Sequence, residues 1–193
     1  MDIPGLQKRV AGIIKSPAHE WAAIAAEPDD IGSLYLNYIM PLAAIPAISL
    51  FLGLSIIGAP IVGRYGISTA LSAAVAVFIS TLVAPIVAAV VIEQLAPKFK
   101  SRGDTVQALK LVAYASTPIW IAGVLYLIVL LSPLMLVAIL YAIYLFYLGL
   151  PVMMKTPDEQ VIPLMVVSAL VVVVVSILLR FIESTLGLPM YGF

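Results

Sequence analysis

The residues with the most chemistry to offer sit in a short run, Lys100 to Trp120, which reads KSRGDTVQALKLVAYASTPIW. It opens as a charged loop and ends inside an apolar stretch that carries Tyr114, Ser116, Thr117 and Pro118 together. A proline inside a helix removes one backbone donor and pushes away the carbonyl four residues back. Ser116 and Thr117 can bond nearby carbonyls and accommodate the bend. The spacing therefore predicts a kink that turns Tyr114, Ser116 and Thr117 toward the interior of a helical bundle. Polar groups at a broken helix are what transporters use for substrate sites, and they are also ordinary packing devices. Two charges extend the candidate site. Glu93 ends the preceding apolar segment and Lys110 begins this one, so a chain reversal between them would bring both to similar depth. A carboxylate at that position is costly alone and cheaper when paired; the pair is read either as snorkelling at the interface or as a cavity mouth joined by Arg102 and Asp104. Further on, YAIYLFYLGLPVMMK places Tyr141, Tyr144 and Tyr147 three apart. Their hydroxyls would reach Tyr114 or Thr117 as a hydrogen-bonded interior seam, or their rings would line a cation path.

Other chemistries fail on residue type. The chain has no cysteine and a single histidine, His19. Disulfides, thiolate metal sites, histidine metal clusters and Ser–His pairs are therefore not expected, and no cofactor is called for. GAPIVGRY from Gly58 has phosphate-loop glycine spacing, but Arg64 and Tyr65 stand where a lysine and a serine or threonine are needed. No facing carboxylate pair lies at membrane depth. The sequence points to no enzyme.

The elements that hold these residues follow from composition. Of 193 residues 63% are hydrophobic and 10% charged, against about 45–50% and about 25% in soluble domains. The solvent for most of this surface is lipid. The formal net charge is zero, which gives no reason to expect a nucleic-acid partner. Crossing a hydrocarbon core takes about 20 apolar residues, and five segments qualify: Tyr35 to Ile57, Ser68 to Leu95, Gln107 to Leu131, Leu134 to Met154 and Val161 to Ile182. Lipid satisfies no backbone polar group, so each is a helix, and the fold class is an all-α polytopic bundle of five transmembrane helices. The third and fourth are joined only by Ser132-Pro133, which predicts a tight hairpin.

The basic residues set the expected orientation. Lys8, Arg9, Lys15, Lys98, Lys100, Arg102, Lys110 and Lys155 fall on one side and only Arg64 and Arg180 on the other, accounting for all ten. That places the N-terminus in the cytoplasm and the C-terminus outside. The expected organisation is a cytoplasmic N-terminal segment at 1–33, a membrane domain at 34–183 and a short external tail at 184–193. The opening residues have no apolar core with a cleavage site, so no signal peptide is expected. Instead Leu6, Val10, Ile13, Ile14, Trp21 and Ile24 recur at helical period, with Lys8, Arg9, Lys15 and Glu20 on other faces. Ser16-Pro17 is read as ending one helix and starting another. The stripe fits an amphipathic element in the headgroup layer, anchored at Glu20 and Trp21, or a helix packed under the bundle. In the second span Ser68, Ser72, Ala76, Ser80, Ala84 and Ala88 recur every four residues. Such a ridge is read as a close-packing face within the bundle, or as a face for a second copy of the chain.

Four stretches in this order resemble the Yip family, the Ypt/Rab-interacting five-span membrane proteins, and specifically its bacterial branch. They are SPAHEWAAIAAEP, YIMPLAAIP, ALKLVAYASTP and YAIYLFYLGLPVMMKTP. The resemblance implies a cytoplasmic N-terminus and an outward C-terminus, in agreement with the charge count. It also implies, for eukaryotic relatives, binding of Rab-type GTPases and shaping of early secretory membranes. This chain departs from them: it has no long N-terminal region and no Asp-Leu-Tyr-Gly-Pro-like stretch. The expected function is a non-enzymatic protein of the bacterial inner membrane that organises the bilayer or binds a protein partner at loop 98–104. The alternative is a small transporter or channel with a route past Glu93, Lys110, Tyr114, Thr117 and the tyrosines of the fourth span.

Overall fold

The computed structural model describes residues 3–28, 30–58 and 63–185. Residues 59–62 of the GAPIVGRY stretch lie outside the described residues, as does the expected tail from 186 onward. Two helices open the chain, α1 (Ile3–Lys15) and α2 (Pro17–Ala26), and they meet at Ser16 with proline at the first turn of the second. Four helices long and apolar enough to cross a membrane follow: α3 (Ile31–Ile57), α4 (Ile67–Phe99), α5 (Thr105–Leu127) and α6 (Leu130–Met153). A further helix, α7 (Asp158–Thr185), has 28 residues. Among the described residues there is no β-strand.

The sequence explains where these helices deform. In α3, Pro41 cannot donate to residue 37, and just before it the ladder widens to a π-helical turn at Tyr35–Ile39, closed by the Met40 N–H on the Tyr35 carbonyl. In α5 the regular helix ends at Ala115 and restarts at Thr117 with Pro118 in its first turn, as the Ser-Thr-Pro run predicts. Beyond Gly123 it tightens to a 3₁₀ turn and stops at Leu127, four residues short of the expected Leu131, with Ile128 extended. The link to α6 is a second 3₁₀ turn through Ser132 and Pro133 rather than a two-residue hairpin. Pro133 has no N–H for the helical ladder, and Gly123 is a poor helix former, so the weak end of α5 rewinds.

Helix α5 is the axis of the bundle. Its first half packs between α4 and α6, and its second half packs against α3. In its most apolar stretch 61% of residues are buried, against 17% in α4. The expectation that the small ridge of the second span is an internal packing face is not met: Ser68, Ser72, Ser80 and Ala84 are exposed, and Ala70, Ala73, Ala74, Pro85, Ala89 and Ile92 turn inward. A four-residue step advances about 40° beyond a full turn of a 3.6-residue helix, so the ridge winds away from any one neighbour. Close approach is made elsewhere. At Gly123 a Cβ would stand 2.6 Å from the Cβ of Pro46, so the second half of α5 rests directly on α3.

Candidate functional site

The break in α5 creates a polar need and the neighbouring residues meet it. Pro118 offers no N–H to the Tyr114 carbonyl four residues earlier. Thr117 Oγ1 donates to that carbonyl instead, at 2.7 Å. Its single proton is thereby committed, so the 2.6 Å contact with Tyr38 is one in which the Tyr38 hydroxyl donates and Thr117 Oγ1 accepts. The result is a closed chain, Tyr38 to Thr117 to the Tyr114 carbonyl, with Thr117 0% exposed and Tyr38 1% exposed. The π-helical turn of α3 carries Tyr38 and Tyr35, and Tyr35 donates to the Leu82 carbonyl of α4 at 2.9 Å. The Tyr38 and Tyr114 rings lie 4.4 Å apart at 51°.

The two N-terminal helices close over this chain. Trp21 is wholly buried and meets Tyr114 edge to face at 6.4 Å. It lies so close to α6 that a Cβ at Gly149 would stand 2.8 Å from its ring and 2.5 Å from Leu111 Cδ1. Its N–H has no hydrogen-bond acceptor among the described residues. The indole is packed against the bundle. Beside it, the Arg9 guanidinium lies 5.8 Å from the centre of the Tyr114 ring and pairs with both Glu20 and Glu27. Burial alone would lower the pKa of Arg9, but Glu27, Tyr114 and Glu20 outweigh it and hold the group above its ordinary value. Sequence reading puts Arg9 on an outward face. It turns inward because two carboxylates receive it, Glu20 in the first turn of α2 and Glu27 just past that helix's last residue.

Lys110 is buried, and its ammonium donates to the Glu27 carbonyl at 2.9 Å. Glu93 is half-buried and takes part in none of the ion pairs between described residues, so the structure does not join it to Lys110. The N-terminal segment reaches Lys110 first. The tyrosines of α6 do not form an interior seam. Tyr144 and Tyr147 are exposed, and Tyr141 donates to the Ile14 carbonyl at 2.6 Å rather than to Tyr114 or Thr117. Three-residue spacing turns the stripe off the packed face. Tyr141 and Tyr144 are instead ring neighbours at 5.7 Å.

Thus Tyr114, Thr117, Pro118 and Lys110 are brought together and buried, Ser116 lies half-buried beside them, and Glu93, Tyr141 and Tyr144 lie apart. Sequence reading missed Tyr38, Arg9 and Glu27. The available signals were Pro41 three residues after Tyr38, and the Glu20–Glu27 interval. Two cavities of about 240 and 380 Å³ flank the kink on the α4 side and share Ala88, Val112, Ser116, Ile119 and Val172. Their walls are mainly apolar. Ser168 of α7 lines the smaller one, and its buried hydroxyl has no hydrogen-bond partner among the described residues. Among the described residues no group of three His, Asp or Glu side chains could hold a metal ion. The assembly can anchor helices and seal one end of the bundle.

The comparison with known proteins agrees with this architecture. The Yip1 domain matches residues 11–180. Two relatives, both called inner membrane protein YohC, come from Escherichia coli strain K12 and from Escherichia coli O6:H1. Each is 29% identical over 162 residues, covering 78% of this chain and 81% of the relative. No solved structure matches. A match that runs from the end of α1 to the last turns of α7 takes in every element described above, and this apolar helical bundle is a membrane protein of the Yip1 family.

Proposed function

We propose that the protein is a non-enzymatic, five-span component of the bacterial inner membrane that organises the bilayer or holds a protein partner, and that it does not conduct solute. In this reading α7 is the fifth crossing. The N-terminal segment 1–33 and the loops at 98–104 and 154–157 face the cytoplasm, the membrane domain is 34–183, and the tail at 184–193 is external. The charge distribution supports the orientation, and the inner-membrane relatives support the compartment.

The observation that carries the proposal is the state of Thr117. It is the deepest polar group at the kink, 0% exposed, with its proton on one neighbour and its lone pair on another. A solute route would need water or substrate at this hydroxyl. The N-terminal helices cover it instead, with Trp21 and the Arg9–Glu20–Glu27 cluster above.

The test is reconstitution into vesicles with ion and small-solute flux recorded beside vesicle shape by electron cryo-microscopy. The expected result is flux at the protein-free level and a shifted vesicle diameter. Flux above background that Thr117→Val or Glu93→Gln abolishes would overturn the proposal in favour of a transporter. Orientation is read separately: the chain has no cysteine, so Lys98→Cys gives a single reporter that reacts with an impermeant thiol reagent only after the cytoplasmic side is opened.

A further inference from the structure

At the end of the bundle that carries most of the basic residues, two short connections are stitched into one surface. The first joins α4 to α5 through residues 100–104, and the second joins α6 to α7 through residues 154–157. The Arg102 N–H donates to the Met154 carbonyl at 2.7 Å, and Ser101 Oγ donates to Thr156 Oγ1 at 3.0 Å. Ser101, Met154 and Thr156 are buried by this pairing. Their chain neighbours Lys100, Arg102 and Lys155 therefore face outward, and Lys98 is exposed on the preceding turn. The pairing sets Lys100 and Arg102 of one loop beside Lys155 of the other, with Lys98 in the turn before them, and these four form a basic platform.

We propose that this platform binds the anionic headgroup of an acidic phospholipid. The inference rests on the membrane-organising reading above and names the partner of the loop. Three observations carry it. First, the charges complement a phosphodiester. Asp104, a carboxylate within the platform, is engaged by the N–H groups of Val106 and Gln107 at 3.1 Å and by Arg102 at 3.6 Å. Asp158 and Glu159 are exposed in the first turn of α7, beyond Pro157, and border the cations. Second, Lys100 and Lys155 have φ of 55° and 52°. Glycine or asparagine is the easier choice in that left-handed region, yet each loop keeps a lysine there. Third, both loops close apolar helices, so they stand at the depth of the headgroups, where clustered lysine and arginine attract acidic lipid. Arg102 adds a planar fork suited to phosphate oxygens.

The test is native mass spectrometry of the full chain released from neutral detergent at low salt. The chain is titrated in turn with phosphatidylglycerol, with phosphatidylcholine of the same chain length, and with glycerol 3-phosphate. Phosphatidylglycerol is expected to bind more tightly than phosphatidylcholine, and glycerol 3-phosphate is expected not to displace it. Each basic side chain near such a surface strengthens attraction about fivefold, so Lys100→Gln with Lys155→Gln lowers phosphatidylglycerol affinity about 25-fold. Lys100→Arg with Lys155→Arg retains it. Lys8→Gln with Lys15→Gln, an equal loss of charge at exposed positions of α1, leaves it unchanged. Equal binding of the two lipids would overturn the proposal. Equal loss in the α1 variant would overturn it in favour of diffuse charge, and displacement by glycerol 3-phosphate would assign the site to a soluble phosphate. The titration reads neither flux nor vesicle shape, so its failure and the failure of the functional reading are separable.

Discussion

The hydroxyl of Thr117 supports two partners at once, and Thr117→Val removes it while keeping the shape of the side chain. Two buried polar groups lose a partner: the Tyr114 carbonyl, which Pro118 has already deprived of its helical donor, and the Tyr38 hydroxyl. An orphaned buried group costs about 1–3 kcal/mol in soluble proteins. In a membrane the reference state also finds partners, and side-chain hydrogen bonds between helices average about 0.6 kcal/mol with a maximum near 1.7. With two bonds lost, the expected destabilisation is about 1–3 kcal/mol. Thr117→Ser keeps both bonds and loses one methyl, a cost of about 1 kcal/mol or less. Tyr38→Phe alone loses one bond and strands no donor. In the double variant Tyr38→Phe with Thr117→Val only the Tyr114 carbonyl is left bare. The double variant should therefore cost less than the sum of the singles, by about 0.5–1.5 kcal/mol. Reversible unfolding in mixed micelles, or steric trapping in bicelles, gives the four free energies. If Thr117→Val is as stable as the parent chain, or if the two substitutions are simply additive, the hydrogen-bonded chain does not hold α3 to α5 and the account of the kink is wrong.

Three other perturbations are set by the same geometry. Gly149→Ala places a methyl 2.5 Å from Leu111 Cδ1 and 2.8 Å from the Trp21 ring; overpacking of about 1–3 kcal/mol is expected in a thermal melt, and Trp21→Leu in the same chain should recover part of it. Arg9→Gln leaves Glu20 and Glu27 without their cation, and because Glu27 is 39% exposed the cost is screened to about 1–2 kcal/mol. Hydrogen exchange should then report faster opening of α1 and α2 while α3 to α6 keep their protection. Asp104→Ala removes the cap of α5, whose side chain accepts from two N–H groups, for a loss of about 0.5–2 kcal/mol in the same melt.

The parts of this fold that could be read in advance are those dictated by solvent and by local chemistry. Apolar length alone gives the four spans to within a few residues at most ends, because lipid leaves the backbone no alternative to helix. The Ser116-Thr117-Pro118 break is equally local: one missing donor and two hydroxyls within reach of it. Partner choice is not local. Glu93 and Lys110 flank the same short loop, yet the Lys110 ammonium goes to a carbonyl 83 residues away in sequence, since the N-terminal segment folds back over the bundle. Arg9 follows the same pattern. Its helical face looks outward until Glu20 and Glu27 are placed above Tyr114. Tyr38 was silent because its orientation depends on the π-helical turn before Pro41, a deformation with no periodic signature. The tyrosines of α6 misled for the opposite reason. A regular spacing suggests a common face, but which face packs is decided by α2 lying against α6.

A cluster of hydroxyls and aromatic rings inside a membrane bundle invites the reading of a binding site, and the hydrogen bonds at the kink give the same residues a structural reason to be there. Thr117 and Tyr38 answer a need created by the fold itself. Pro118 strands a carbonyl, Thr117 serves it, and Tyr38 serves Thr117. A solute entering there would have to displace one of these bonds to form its own, which exchanges one hydrogen bond for another with no net gain. Exposed charge lies at the rim instead, where Lys98, Lys100 and Lys155 face outward and Arg102 pairs with Asp104. The bonds at Thr117 tie α3 to α5 at the break, which is reason enough for a Ser-Thr-Pro run inside an apolar helix.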